Sequence, residues 1–275
     1  MKPAPFAYLR AATTEEALEA LAAHGTEARI LAGGQSLVAM LNMRLARPSL
    51  LIDIMRVPAL GRVEVEGDDL CIGAAVRQAA LERRPDLARE VPLLARALPW
   101  VGHYQTRARG TVCGSAAHAD PSAEIPLCLV ALGARVGLRR RSGRRTVGAE
   151  AFFAGTMQTE CAPDEMIDRL IVPRRRPDTG YAFAEIGRRH GDFAIVACAA
   201  VAGPHGLRLA VGGVADRPVA RDFPPLDGSA LDDALNAFAW ALGGRDDMHA
   251  TARYRRGLVR RMGRQVLEEA MACRN

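Results

Sequence analysis

The sequence predicts an α+β protein of more than one domain, and three observations carry that expectation. Its 275 residues exceed the usual size of one domain. Strand-like and helix-like segments alternate near the start. Toward the end, a run of short antiparallel-type strands is followed by two helices. The composition, 49% hydrophobic and 25% charged, is that of an ordinary globular chain with apolar residues enough for a sizeable core.

Thr13 and Glu16 have the spacing of a capping box, and Glu15 and Glu16 place acid in the first turn, where the helix dipole favours it. Leu18, Leu21 and Ala22 supply a buried stripe and Gly25 a stop. A strand over 28–32 runs into Gly33-Gly34, followed by a helix-like stretch over 37–45, Pro48 and a strand over 50–54. Two short strands are expected over 62–66 and 69–73, then helices over 76–82 and 87–98. A glycine-rich stretch over 110–120 precedes a helix over 125–132, and 135–147 reads as a hairpin around Ser142-Gly143. A strand over 166–172 ends at Pro173, and the run 173–177, three arginines between two prolines, is the candidate domain linker. Beyond it, 181–188, 194–202 and 207–214 read as antiparallel strands, and 229–242 and 250–270 as helices. In the last helix Tyr254, Leu258, Met262, Val266 and Ala270 fall four apart, the mark of a packing face.

The formal charge of +6 comes almost wholly from arginine, since Lys2 is the only lysine. Arginine runs at 139–141, 144–145 and 174–176 carry no interleaved aromatics and no nucleic-acid-binding module, so solvated surface or a subunit interface is expected and nucleic acid is not. No apolar run of about 18 residues offers a membrane span, and the start lacks the apolar segment of a signal peptide. A cytoplasmic location is expected. The six cysteines lie far apart without CxxC spacing, which argues against a zinc or iron-sulfur site built from this chain. His118 and Asp120 lack a third ligand by spacing, so no metal site is expected. His190, Asp192 and Ser229 lack the GxSxG elbow of a hydrolase, so no catalytic triad is expected either.

Two glycine loops carry the chemistry. The first is Ile30, Leu31, Ala32, Gly33, Gly34, Gln35, Ser36 and Leu37. A strand that ends in two glycines turns tightly and lets a ligand approach the backbone, whose N–H groups, with Gln35 and Ser36, make a cradle for phosphate oxygens. The spacing is neither the Rossmann nor the Walker pattern. The second runs Arg109-Gly110 and then Thr111, Val112, Cys113, Gly114 and Ser115, with Asp120 and Glu124 following within ten residues of Gly114. Carboxylates commonly hold the hydroxyls of a ribose or ribityl chain. A dinucleotide, with a pyrophosphate and a polyol, suits two such loops.

The AGGQSL loop, the NxRLAxP pattern (Asn42, Arg44, Leu45, Ala46, Pro48), Gly102-His103, the stretch RGTVCGSAAHADPSAE and the later Gly191-Asp192-Phe193-Ala194 occur in order along essentially the whole chain. Together they resemble the FAD-binding medium subunit of the xanthine dehydrogenase and carbon monoxide dehydrogenase family of molybdenum hydroxylases. The resemblance implies a two-subdomain FAD-binding domain of the vanillyl-alcohol oxidase (PCMH) type over 1–175, with subdomains of about 1–56 and 57–175. It implies a smaller C-terminal domain over 176–275, with a three-stranded antiparallel sheet and helices. By the same resemblance, 30–37 wrap the FAD pyrophosphate, 111–115 form the second loop, and Val101, Glu124 and Ile167 are further cofactor contacts. The match of Gly191-Asp192-Phe193-Ala194 to the family's signature implies that Asp192 and Phe193 lie near the flavin and set its access to the electron acceptor. Cys113 departs from the family's second glycine, and its side chain is expected to narrow the pocket or shift the backbone angle. The aromatic Phe183 is followed by Ala184, where some relatives carry Lys or Arg.

No catalytic acid or base is expected on this chain. The resemblance implies an electron relay from two [2Fe-2S] clusters on a small partner subunit, through FAD, to an external acceptor. A large partner would carry molybdenum-pterin, the whole being a dimer of heterotrimers. The alternatives are a stand-alone FAD oxidoreductase of the same fold and a nucleotide-binding module without redox activity.

Overall fold

In the computed structural model, which describes residues 2–274, the chain opens with strand β1 (Ala7–Arg10), helix α1 (Thr14–His24), strand β2 (Ala28–Leu31), helix α2 (Leu37–Asn42) and strand β3 (Leu50–Asp53). The three strands form a parallel sheet in the order β1-β3-β2. The capping box of α1 is present: Thr13 Oγ1 accepts the Glu16 N–H at 3.1 Å. The Glu16 carboxylate returns to the Ala12 N–H at 2.7 Å, one residue before the cap. Ala17, Leu18 and Leu21 are the buried apolar face of α1.

The middle of the chain contains β4 (Val63–Glu66), β5 (Asp69–Gly73), α3 (Gln78–Glu82), α4 (Leu87–Glu90), α5 (Pro92–Ala97), α6 (Tyr104–Arg109), α7 (Val112–His118), α8 (Glu124–Ala131), β6 (Arg135–Arg140), β7 (Gly143–Gly148), α9 (Ala149–Phe152), β8 (Phe153–Gly155), β9 (Gln158–Thr159) and β10 (Met166–Pro173). An antiparallel sheet in the order β4-β5-β10-β6-β7 brings the chain-distant β10 to its centre. The helix expected over 87–98 is broken into α4 and α5, because Pro92 has no N–H to continue the first and is preorganised to start the second. Every residue of α8 is buried, which makes it the rod on which the domain core is built.

The final part comprises β11 (Gly180–Ile186), β12 (Val196–Gly203), β13 (Gly206–Gly212), β14 (Val219–Phe223), α10 (Gly228–Ala241) and α11 (Ala252–Ala272). The three expected strands pair antiparallel, and β14 joins them at the edge, giving a sheet of four. This fourth strand escapes sequence reading because its VARDF residues are mostly half-exposed and carry no clean alternation. The two faces of the sheet serve different cores. Tyr181, Phe183, Ala197, Ala199 and Ala210 face the N-terminal part of the chain, toward α5 and α8. Ala182, Val196, Cys198, Ala200, Leu209 and Val211 lie under α10 and α11. Burial on both faces explains why β12 reads VACAAVAG, apolar throughout rather than alternating.

The packing face of α11 holds Leu258, Met262, Val266 and Ala270 as expected, each contributing by removal of apolar area from water. Tyr254 is 46% exposed, because it sits in the first turn, at the end of the packed face. The connection between β10 and β11 is tied down. The Arg174 N–H donates to Asp68 O, the Arg175 N–H to Glu90 O, and the Arg176 N–H to the Tyr181 hydroxyl. No helix among the described residues is long and apolar enough to cross a membrane.

Candidate functional site

The end of β2, the start of α2, the Thr111–Ser115 turn, β10 and the Gly191-Asp192-Phe193 segment enclose one cleft of about 930 Å³. Its position follows from topology. The tip of the parallel sheet, the start of a helix on the antiparallel sheet and a loop leaving β11 meet at one place.

The two glycine loops touch through Gly33. A Cβ at Gly33 would lie 2.2 Å from Arg109 O and 2.6 Å from Gly110 Cα, so no other residue fits without moving the backbone. Gly34 has φ +72°, in the left-handed region that glycine adopts freely. From Gly33 to Leu37 the backbone N–H groups make no hydrogen bond among the described residues, while Gly34 O and Ser36 O accept from Val38 and Met40. Five unspent donors in succession along the wall of a cleft are a cradle for an anionic group such as a pyrophosphate. The residues present therefore fit a dinucleotide.

The second loop is more regular than expected. Residues 110–120 contain α7, whose Thr111 cap accepts the Gly114 N–H at 3.0 Å on its Oγ1. Cys113 thus lies in the first turn of α7, on the wall of the cleft. The Cys113 thiol donates to Ile72 O at 3.4 Å, and burial raises its pKa.

Sixteen of the expected site residues are brought to the cleft: Ile30, Ala32, Gly33, Gly34, Gln35, Ser36, Leu37, Val101, Thr111, Cys113, Gly114, Ser115, Glu124, Ile167, Asp192 and Phe193. Leu31 and Val112 are not on its wall. Leu31 belongs to β2, and Val112 is fully buried in the core.

Glu124 is 3% exposed, and burial pushes its carboxyl up to about 7. On β11, Glu185 is raised to about 8 by burial and, second, by the charge of Glu124, and its Oε2 is buried without a hydrogen-bond partner among the described residues. At the mouth, Phe193 is 60% exposed, and the Asp192 carboxylate is taken by Arg189 at 3.2 Å.

Two contributors had no sequence signal. Gln78 is 5% exposed, lines the cleft, donates to Thr111 O at 3.4 Å and leaves Oε1 without a hydrogen-bond partner among the described residues. Arg107 is 9% exposed and paired with Glu82 at 2.8 Å. Its Nη1 donates to Val101 O and Gly102 O, fixing the backbone of one cleft wall. A polar residue in the first turn of a short helix, or an arginine among thirty-odd others, does not announce such a role.

The FAD binding domain in molybdopterin dehydrogenase matches residues 4–175, and the CO dehydrogenase flavoprotein C-terminal domain matches 181–270. The nicotine 6-hydroxylase medium subunit of Paenarthrobacter nicotinovorans is 37% identical over 286 residues, covering 99% of each chain. From the same organism, the 6-hydroxypseudooxynicotine dehydrogenase complex subunit alpha is 42% identical over 201 residues, 73% of this chain and 68% of its own. Among solved structures, the carbon monoxide dehydrogenase from Hydrogenophaga pseudoflava lacking the Mo-pyranopterin moiety of its molybdenum cofactor matches with a TM-score of 0.94. It is 32% identical, with 100% of both chains covered. The two adjoining domain matches and the full-length likeness to medium chains together place this chain in the FAD-binding medium-subunit family of the molybdenum hydroxylases, the family of the xanthine and carbon monoxide dehydrogenases.

Proposed function

We propose that the cleft holds one FAD noncovalently and that the chain passes electrons through it, from [2Fe-2S] clusters on a small partner subunit to an external acceptor. The run of five unspent N–H groups at 33–37, with Gly33 against Gly110, carries this reading. In it, residues 30–37 and 111–115 hold the pyrophosphate, Glu124 accepts from ribose or ribityl hydroxyls, and Val101 and Ile167 supply apolar wall. Asp192 and Phe193 guard the mouth. The bound flavin supplies two-electron redox chemistry; the protein supplies binding, orientation and exclusion of water. The organic substrate is oxidised on a large molybdenum-pterin subunit, the assembly is a cytoplasmic dimer of heterotrimers, and the working division of this chain is 1–175 and 176–275.

A stand-alone oxidoreductase is the second reading, favoured by one observation: Glu124, on the cleft wall, is raised to about 7 and could trade a proton with a substrate. Purification of the tagged chain from its native host separates the two. The relay requires a large molybdenum chain and a small iron-sulfur chain to accompany it. A flavin-loaded chain that purifies alone and turns over a small substrate supports the second reading instead.

A further inference from the structure

Two stretches of the cleft wall are held from behind by one short helix. Helix α3 packs against α6 and carries Gln78 and Glu82 four residues apart, so both lie on the same face. Gln78 serves the second glycine loop. Its backbone N–H donates to Gly110 O at 2.8 Å and its side-chain Nε2 to Thr111 O at 3.4 Å, and a Cβ on Gly110 would lie 3.0 Å from its Oε1. Gly110 is also where the first loop presses, through Gly33, so Gln78 backs the contact between the two loops.

Glu82 acts at one remove. Its carboxylate takes the Arg107 guanidinium by two bonds, Nε to Oε2 at 2.8 Å and Nη2 to Oε1 at 3.1 Å. The remaining nitrogen, Nη1, donates to Val101 O at 3.2 Å and Gly102 O at 3.3 Å, and both of those residues line the cleft. No backbone N–H among the described residues reaches either carbonyl. Residues 101–103 belong to no helix or strand, and Gly102 is left-handed at φ +51°, so the bonds from Arg107 take the place of a ladder. A planar fork with donors on three nitrogens holds a carboxylate and two carbonyls at once, which a point-like ammonium does not. Among the described residues Glu82 is the only acid within ion-pair distance of Arg107.

We propose that α3 is a bracket for the cofactor: Gln78 directly, and Glu82 through Arg107, are positioning residues that set the spacing of Val101–Gly102 and Gly110–Thr111 around a bound FAD, a role that rests on the FAD reading of the cleft. Glu82 does not line the cleft, so its effect on the cofactor travels through the guanidinium.

The full-length chain and its variants are titrated with FAD, affinity being read from flavin fluorescence and geometry from the visible circular dichroism of the bound flavin. Glu82→Ala should raise the FAD dissociation constant about tenfold and change the dichroism, which a loss of fold stability alone leaves as it is. Arg107→Lys should do the same, and so should Gln78→Leu, similar in bulk but without the amide. Glu82→Gln keeps an acceptor for Arg107 Nε and should stay within about threefold of wild type. Asp86→Ala, which breaks the nearby exposed ion pair with Arg89, should change neither reading. Wild-type affinity and dichroism in Glu82→Ala, Arg107→Lys or Gln78→Leu overturn the proposal even where the thermal midpoint falls, because α3 is then a folding element only. Should Glu82→Ala not fold, Arg107→Lys and Glu82→Gln decide: equal affinity in the two overturns the bracket, and clearly tighter binding by Glu82→Gln upholds it. A wild-type chain that retains no FAD overturns the cleft reading along with it, whereas FAD held equally by wild type and variants sinks the bracket alone.

Discussion

Gly33 is the residue on which the cofactor cradle turns. Its Cα hydrogen faces Arg109 O and Gly110 Cα, and a methyl group there must push the two loops apart. Gly33→Ala is expected to weaken FAD binding by about a hundredfold or more, about 3 kcal/mol at 25 °C, measured by recovery of flavin fluorescence on dilution. Glu124 and Glu185 act through pH. Each is protonated in the folded chain over a range in which the unfolded chain, with carboxyls near 4.5, is ionised. Their contribution is therefore full below about 4.5 and is lost as pH rises through about 7 and about 8. Thermal midpoints of the FAD-free chain should fall between about pH 5 and about pH 9, and Glu185→Gln should flatten the profile. A flat wild-type profile would show that these carboxyls are not held protonated. The glycine pairs were legible in the sequence because only a glycine gives that freedom. The raised pKa of Glu185 was not, since burial causes it first and the charge of Glu124, 61 positions away in the chain, second, and both arise only on folding.

At the scale of elements, β11 and α11 show how closely the C-terminal helix lies on its sheet. A Cβ on Gly180 would fall 1.8 Å from Ala270 O, a backbone atom that cannot turn aside. Gly180→Ala is expected to cost about 3 kcal/mol, read as a lower urea midpoint. Gly257, also on this helix, has open space where its Cβ would stand, and Gly257→Ala should stabilise by about 0.7 kcal/mol through helix propensity. Opposite signs for two glycine-to-alanine changes test the packing more sharply than either alone. Elements with a strong local signal were legible: α1 by its capping box, the β6–β7 hairpin by its turn, β5 to the residue. Elements made by tertiary context were not. β1 exists because its backbone pairs with β3, although its AYLR side chains are mostly exposed, and β14 exists by pairing with β13. The helical state of 112–118 was hidden by the glycine and small residues that read as loop.

For the whole molecule, the arginines of the β6–β7 hairpin are mostly engaged with acids. In the hairpin Arg139 pairs with Glu15, Arg140 with Asp164, Arg144 with Asp168 and Arg145 with Glu165, so four of the five arginines in the runs at 139–141 and 144–145 face an acid. The exposed pairs among these add little stability individually. Arg255 does more: buried to 5% exposure, it ties Ile195 O, Gly213 O and Asp247 together and locks α11 to the loops beside the sheet. Arg255→Ala should cost about 3 kcal/mol, visible as a lower thermal midpoint. The cleft lies where the parallel sheet, the antiparallel sheet and the loop after β11 meet, so cofactor binding and domain packing are one arrangement. The most direct measurement of that arrangement is the visible absorption spectrum of the full chain after incubation with excess FAD and gel filtration. One noncovalent FAD per wild-type chain, absent from Gly33→Ala, is the predicted result. A wild-type chain that emerges without flavin would contradict it.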